Sequence, residues 1–329
     1  MRMLVIGHRE EETWIFEKLN QSLKYEIFYT YDILNMSNVE MTRGYDAICI
    51  TVNSVITEEI AKCLSEFGVK YILNKLAGKD NLDLEAIHKY GLKAAYVPYY
   101  SPNAVSEHTV MLILAAMRNL KLQLHRIDKH NFILKGLLGR ELRNMTVGVI
   151  GTGRIGCSTI KNLSGFGCRI LVNGHSEKEE IKLLATYVLL EELLKKSDII
   201  VFHCPLTEDT YHLINDKTIS MLKDGVCLIN TARGGIFDTK AVLKALMDGK
   251  ISTVAIDVYE EENAILRKDM SSKELENKEF EELLAMENVI YTTHTAFYTD
   301  EAISNMIETT FENLHEYETK GCCKNEVMK

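Results

Sequence analysis

Residues 147–156 read Val147-Gly148-Val149-Ile150-Gly151-Thr152-Gly153-Arg154-Ile155-Gly156. A buried strand runs straight into GxGxxG, and a helix-like segment follows, which is the setting a dinucleotide-binding turn needs. Gly151 permits the tight turn, Gly153 lets the backbone approach a pyrophosphate, and Gly156 lets the helix pack closely on the strand. The helix N-terminus offers free N–H groups and positive dipole to phosphates. Gly151, Gly153, Arg154, Ile155 and Gly156 are therefore candidate cofactor-binding residues.

The same alternation extends in both directions. Short apolar runs predict strands at 3–6, 47–51, 71–73, 94–97, 147–150, 170–172, 199–203, 227–230, 254–257 and 289–292. Most are continuous rather than alternating, as in parallel strands buried on both faces. Helical patterns lie between them at 58–67, 158–166, 189–196 and 239–247. This order predicts an α/β protein with two doubly wound parallel sheets, separated by the strandless stretch 98–146. Within that stretch Ser101-Pro102 is a helix start. The helix it opens is apolar nearly all round from Val110 to Met117, which predicts burial between domains.

Composition narrows the function. The chain has 329 residues, enough for two domains, with 46% apolar and 26% charged residues. A formal net charge of −9 argues against a nucleic-acid partner, which requires a basic footprint. The longest apolar run, Val110–Met117, is too short to span a bilayer. The N-terminal MRMLVIGHREEE turns acidic too soon for an export signal. Eight scattered cysteines fit a reduced, cytoplasmic protein without a structural metal site. The adjacent Cys322 and Cys323 read as a feature of a fluid tail.

At the carboxyl ends of later strands, three segments carry chemistry: Asn230-Thr231-Ala232-Arg233-Gly234-Gly235, Ala255-Ile256-Asp257-Val258-Tyr259-Glu260-Glu261-Glu262 and Tyr291-Thr292-Thr293-His294-Thr295-Ala296-Phe297-Tyr298-Thr299. An arginine after a buried strand presents a planar fork to a carboxylate and the neighbouring keto oxygen. A histidine beside a carboxylate is suited to donate a proton to a forming alkoxide. Where a ribose-binding carboxylate is expected, the chain has Asn173-Gly174-His175-Ser176. The cofactor is thus NAD or NADP on this reading, with Gly174, His175 and Ser176 as candidate contacts.

These motifs, with Tyr100-Ser101-Pro102-Asn103-Ala104, resemble the D-isomer-specific 2-hydroxyacid dehydrogenases over nearly the whole length. Within them the chain resembles the D-lactate and vancomycin-resistance D-lactate dehydrogenase branch, including an insertion between Glu262 and His294. The resemblance implies Arg233, Glu262 and His294 as a catalytic trio without a metal. It implies Thr231, Ala232 and Asp257 at the nicotinamide end, and Cys204, Pro205 and Thr210 on the adenosine side. Cys204 reads as a packing residue, since nothing in sequence would activate it.

The resemblance further implies a substrate domain at 1–100 plus 297–329, a dinucleotide-binding domain at 101–296, and an active site in the cleft between them. Ala77 and Gly78 match backbone amides that bind the substrate carboxylate, and Tyr100 matches a cleft tyrosine. Lys75 stands where the family usually has arginine. The implied reaction is reduction of a small, pyruvate-like 2-oxo acid to a D-2-hydroxy acid by a homodimer, with no membrane partner. Two alternatives share the scaffold: a dinucleotide-sensing corepressor, and another family dehydrogenase of glyoxylate or phosphoglycerate type. The HTAFYT motif and the insertion favour the D-lactate branch.

Overall fold

The structure, a computed structural model, describes residues 1–327. It divides into two compact units, Met1–Ser101 with Tyr298–Lys329, and Pro102–Phe297.

The first unit is built on strands β1 (Arg2–Ile6), β2 (Glu26–Thr30), β3 (Ala47–Ile50), β4 (Tyr71–Asn74) and β5 (Lys93–Tyr96), all parallel in the order β2-β1-β3-β4-β5. Helices α1 (Thr13–Leu23), α2 (Glu58–Glu66) and α3 (Leu84–Lys89) supply crossovers. Thr57 and Asp83 cap α2 and α3 by accepting from Ile60 N and Ala86 N, which satisfies otherwise orphaned donors. One sheet face packs Ile48, Ile50 and Ile72 against Ile60, Leu64 and Ile87. The C-terminal helix Asp300–Lys320 brings Tyr317 onto Tyr71, ring centroids 4.7 Å apart. The tail that follows is docked rather than fluid. Val327 N–H donates to Ala94 O at 2.8 Å, and Tyr96 N–H to Asn325 O at 3.2 Å.

The second unit opens with α4 (Pro102–Met117) and α5 (Leu120–Ile127). Its strands are β6 (Thr146–Ile150), β7 (Arg169–Asn173), β8 (Thr186–Tyr187), β9 (Ile199–Phe202), β10 (Val226–Asn230), β11 (Ile251–Ile256) and β12 (Val289–Tyr291). They form one parallel sheet in the order β12-β11-β10-β9-β6-β7-β8. Strand order reverses between β6 and β9, which opens a crevice at the carboxyl edge where ligands of such sheets bind. Helices α6 (Arg154–Ser164), α7 (Glu179–Lys182), α8 (Leu190–Lys196), α9 (Asp216–Met221), α10 (Thr239–Met247) and α11 (Lys278–Ala285) cover the sheet. Val147, Val149, Val201 and Ile229 are fully buried on one face, and Ile200, Phe202 and Leu228 on the other. Each such side chain contributes roughly 1.5–3 kcal/mol by leaving water.

All ten strands read from apolar runs are present, with ends shifted by up to three residues. Two others were not read. β2 is a half-exposed edge strand whose Ile27-Phe28-Tyr29 run is short and flanked by polar residues, and β8 is only two residues long. The expected all-round burial of α4 is corrected: Met111 is 47% exposed, because α6, β10 and β11 cover only part of the helix within this unit. The stretch at 267–282 is rich in Lys and Glu, and a solvated excursion is what such composition predicts; the structure buries part of it. It leads into α11, whose Phe280 stacks on Tyr259 at 4.3 Å.

Candidate active site

The glycine turn takes the form its sequence demands. Gly151 has φ +103°, and a Cβ there would stand 2.6 Å from the His203 backbone. A Cβ at Gly156 would stand 2.0 Å from Gly151 O, so α6 packs directly on the turn only because that position is bare. At Gly153, the N-cap of α6, a Cβ would meet nothing within 4 Å. The first helical residues Arg154 and Ile155 therefore follow an open approach, which fits a dinucleotide pyrophosphate at this helix N-terminus.

The end of β7 is tightly built. A Cβ at Gly174 would lie 2.2 Å from Thr152 Oγ1, and that hydroxyl donates to Ser176 O at 3.3 Å. His175 and Ser176 are exposed. After β9, burial holds His203 neutral, with its pKa lowered to about 3, and its Nε2 pairs with Thr159 Oγ1 at 2.8 Å. Burial pushes the Cys204 thiol up to about 11, which suits packing rather than nucleophilic chemistry. Thr210 Oγ1 donates to Pro205 O at 2.6 Å and accepts from Thr207 N–H at 2.7 Å, closing this turn on itself.

Beyond β10, Thr231 is buried and its hydroxyl meets Thr109 Oγ1 of α4 at 2.9 Å. Asn230 braces the next turn, accepting from Ala232 N–H at 3.0 Å and donating to Arg233 O at 2.9 Å. Arg233 is exposed, with Nη1 donating to Ala232 O at 2.8 Å.

Of the three consecutive glutamates after β11, the structure gives each a different partner. Glu260 pairs with His212 Nε2 at 2.9 Å, and Glu261 accepts from Asn277 Nδ2 at 2.5 Å. Glu262 Oε1 lies 2.8 Å from His294 Nδ1, while its Oε2 accepts from Tyr259 N–H at 3.0 Å. The carboxylate is thus oriented by backbone and in turn orients the imidazole, leaving Nε2 to face other chemistry. Burial, with Glu262 and Asp257 adding to it, raises the Tyr291 phenol well above its ordinary range, so it stays protonated nearby.

Asp257, one residue past β11, is 1% exposed and receives three donors. Thr292 Oγ1 at 2.6 Å and Thr295 N–H at 2.9 Å reach Oδ1, and Ala296 N–H at 2.9 Å reaches Oδ2. Sequence reading gave Asp257 a cofactor role but missed this grip on the histidine loop. His108 was missed entirely, because it sits in an apolar helix with no motif of its own.

In the first unit, Lys75 turns its ammonium inward onto Glu12, N–O 2.5 Å, with side chains 2% and 0% exposed. Arg9 Nη1 also reaches Glu12, at 3.0 Å. Lys75 thereby has a structural partner that the sequence did not reveal. Ala77 is exposed, and Gly78 O accepts from Asn74 Nδ2 at 3.0 Å, tying that loop to β4. Tyr100 O accepts from Asn305 Nδ2 at 2.6 Å.

A glycine turn at a strand-order reversal, with an arginine and a carboxylate-oriented histidine along the same carboxyl edge, is the layout of a dinucleotide-dependent oxidoreductase. Residues 110–296 match the D-isomer specific 2-hydroxyacid dehydrogenase, NAD binding domain. The chain is 40% identical over 328 residues to an aromatic 2-oxoacid reductase of Clostridium sporogenes, covering 99% of each. It is 35% identical over 329 residues to the D-lactate dehydrogenase of Escherichia coli, covering 100% of each. A crystal structure of a D-lactate dehydrogenase from Treponema pallidum superposes with TM-score 0.90 at 34% identity, covering 100% of both chains. The chain belongs to the D-isomer specific 2-hydroxyacid dehydrogenases. It is an oxidoreductase with an NAD-binding domain. Among the described residues no helix is long and apolar enough to cross a membrane, and no cluster of His, Cys, Asp or Glu could hold a metal ion.

Proposed function

We propose that this protein reduces small 2-oxo acids to D-2-hydroxy acids, with Arg233, Glu262 and His294 as its catalytic residues. The observation that carries the reading is the His294–Glu262 pair at 2.8 Å, set on the sheet edge that also bears the glycine turn. The turn residues Gly151, Gly153, Arg154, Ile155 and Gly156 hold the dinucleotide phosphates, and Thr231, Ala232 and Asp257 lie at its nicotinamide end. Gly174, His175 and Ser176 take the adenosine ribose side, with Cys204, Pro205 and Thr210. These residues would hold a reduced nicotinamide, whose chemistry there would be hydride donation to the keto carbon.

The chain's own residues do the rest. His294 Nε2 gives its proton to the forming alkoxide while Glu262 stabilises the cationic ring. Arg233 offers a planar fork to the substrate carboxylate and keto oxygen, stabilising the charge that develops there. Ala77 and Gly78 supply backbone amides for the carboxylate, with Tyr100 beside the substrate. Lys75 is better explained by its pairing with Glu12.

The relatives named for aromatic 2-oxo acids and for D-lactate support a panel running from pyruvate to phenylpyruvate. Loss of reduced-nicotinamide absorbance, with NADH or NADPH, tests the reading. Turnover of at least one 2-oxo acid supports it, and tight dinucleotide binding without turnover across the panel refutes it.

The same reading makes the protein a cytoplasmic homodimer. Leu134 and Leu138 are 83% and 92% exposed, close in sequence to exposed Phe132 and Ile133. A cavity of about 560 Å³ on α4 is lined by Val110, Met111, Leu114 and Ala115. Apolar surface of this kind favours covering by a second subunit. Sedimentation equilibrium giving the dimer mass supports this; a monomer at micromolar concentration refutes it.

A further inference from the structure

We propose that His108 of α4 is a positioning residue for the reaction: acting through the Thr292 hydroxyl and the Asp257 carboxylate, it holds the loop that presents His294. The proposal rests on the reading of His294 as proton donor.

The backbone at His294 needs holding. Its φ is +54°, in the left-handed region that a histidine adopts only against a cost. Its N–H is shared between Asp257 O and Thr292 O, both at 2.9 Å. The residues on either side are tied to the Asp257 carboxylate, by Thr292 Oγ1 before it and by Thr295 N–H and Ala296 N–H after it. One buried carboxylate therefore clasps both arms of the turn.

His108 fixes the direction of that clasp. Its Nε2 lies 3.0 Å from Thr292 Oγ1 and 3.5 Å from Asp257 Oδ1. A threonine hydroxyl has one proton, and at 2.6 Å from Asp257 Oδ1 that proton goes to the carboxylate. Thr292 must then accept from His108, so the imidazole carries its proton on Nε2. Burial disfavours a second proton, and the nearby Asp257 only partly offsets this. The neighbouring residue on the helix acts in parallel, since Thr109 Oγ1 donates to Val105 O at 2.7 Å and can accept only from Thr231 Oγ1 at 2.9 Å. Consecutive residues of α4 thus brace the loops of His294 and Arg233.

The test uses the full chain with His108→Phe, His108→Gln, Thr292→Val and Thr292→Ser. Gln can present an N–H near the position of the lost Nε2, and Ser keeps the hydroxyl. We expect kcat for 2-oxo acid reduction to fall about tenfold or more in Thr292→Val and His108→Phe, with NADH Kd changed less than about threefold. Thr292→Ser and His108→Gln should recover most of the lost rate. A packing role alone would instead lower thermal stability without this rescue. Nitrogen-15 spectra of the cofactor-free wild type should show His108 as the Nε2–H tautomer, and Thr292→Val should shift the His294 ring signals.

Rates within twofold of wild type in both Thr292→Val and His108→Phe overturn the proposal, as does an Nδ1–H tautomer at His108. Should His108→Phe not fold, the Thr292 pair decides: equal losses in Val and Ser variants overturn it. If the wild type reduces no 2-oxo acid, the reaction reading fails, and the His108 tautomer with the His294 shift still decides the positioning role.

Discussion

Replacing Glu262 by glutamine changes one oxygen to an amide nitrogen and sets two contacts in conflict. Tyr259 N–H can only donate, so at 3.0 Å it claims the single carbonyl oxygen of Gln. The NH2 group then faces His294 Nδ1, which in the native protein lies 2.8 Å from a carboxylate oxygen. Two donors cannot face each other, so the ring is driven to a neutral form that accepts at Nδ1. What is lost is a charge-assisted hydrogen bond, worth about 1.5–3 kcal/mol in general. The side chains of His294 and Glu262 are 25% and 14% exposed, which places the loss toward the lower end. At 1.36 kcal/mol per decade, kcat should fall about 10- to 30-fold. Steady-state reduction of a 2-oxo acid at saturating NADH reads this, with NADH Kd from fluorescence expected to stay near wild type. A kcat within twofold of wild type would show that Glu262 does not support the donor.

Three other perturbations follow from the same geometry. Gly156→Ala places a Cβ 2.0 Å from Gly151 O, so NADH affinity should drop by about 100-fold or more while the other unit keeps its fold; unchanged titration curves would refute this. Lys75→Met leaves the Glu12 carboxylate, 0% exposed, with its closest partner gone, and should cost about 3–5 kcal/mol in urea unfolding; pairing it with Glu12→Leu should restore much of that. His203, with its pKa lowered by burial to about 3, is neutral when folded but protonates near pH 6.5 when unfolded. Its stability contribution is full above pH 6.5 and declines toward pH 3, by up to about 1.4 kcal/mol per unit. His203→Gln should therefore flatten the acid side of the stability curve, and an unchanged slope would contradict the assignment.

Much of this architecture is legible from residue patterns because its parallel strands are buried on both faces. Runs such as Ile199-Ile200-Val201-Phe202, short and rich in β-branched and aromatic residues, fit a strand buried on both faces better than a buried helix. The glycine turn is equally plain, since Gly151 and Gly156 answer local steric demands and Gly153 leaves the approach to the helix N-terminus open. Edge strand β2 was not, because Glu26-Ile27-Phe28-Tyr29-Thr30 pairs on one side only and leaves Glu26, Phe28 and Tyr29 exposed, without the buried run of a central strand. At the candidate site, the sequence singles out Glu262 and His294, which the structure pairs, but could not show that Glu260 and Glu261 face His212 and Asn277. That sorting depends on tertiary geometry. So does the chain from His108 to Thr292 to Asp257, whose members are far apart in sequence and carry no spacing that marks them. The inward turn of Lys75 was hidden for the same reason, its partner Glu12 lying on a different crossover.

The central claim is that His294, oriented by Glu262, protonates a 2-oxo acid as it is reduced to the D-2-hydroxy acid. Chiral chromatography of the product, run beside NADH consumption for wild type and His294→Ala, tests it most directly. The account predicts D product from the wild type in one-to-one ratio with NADH oxidised. It predicts turnover reduced by about 100-fold or more in His294→Ala, with NADH Kd little changed. L product, or near-normal rates without His294, would contradict it.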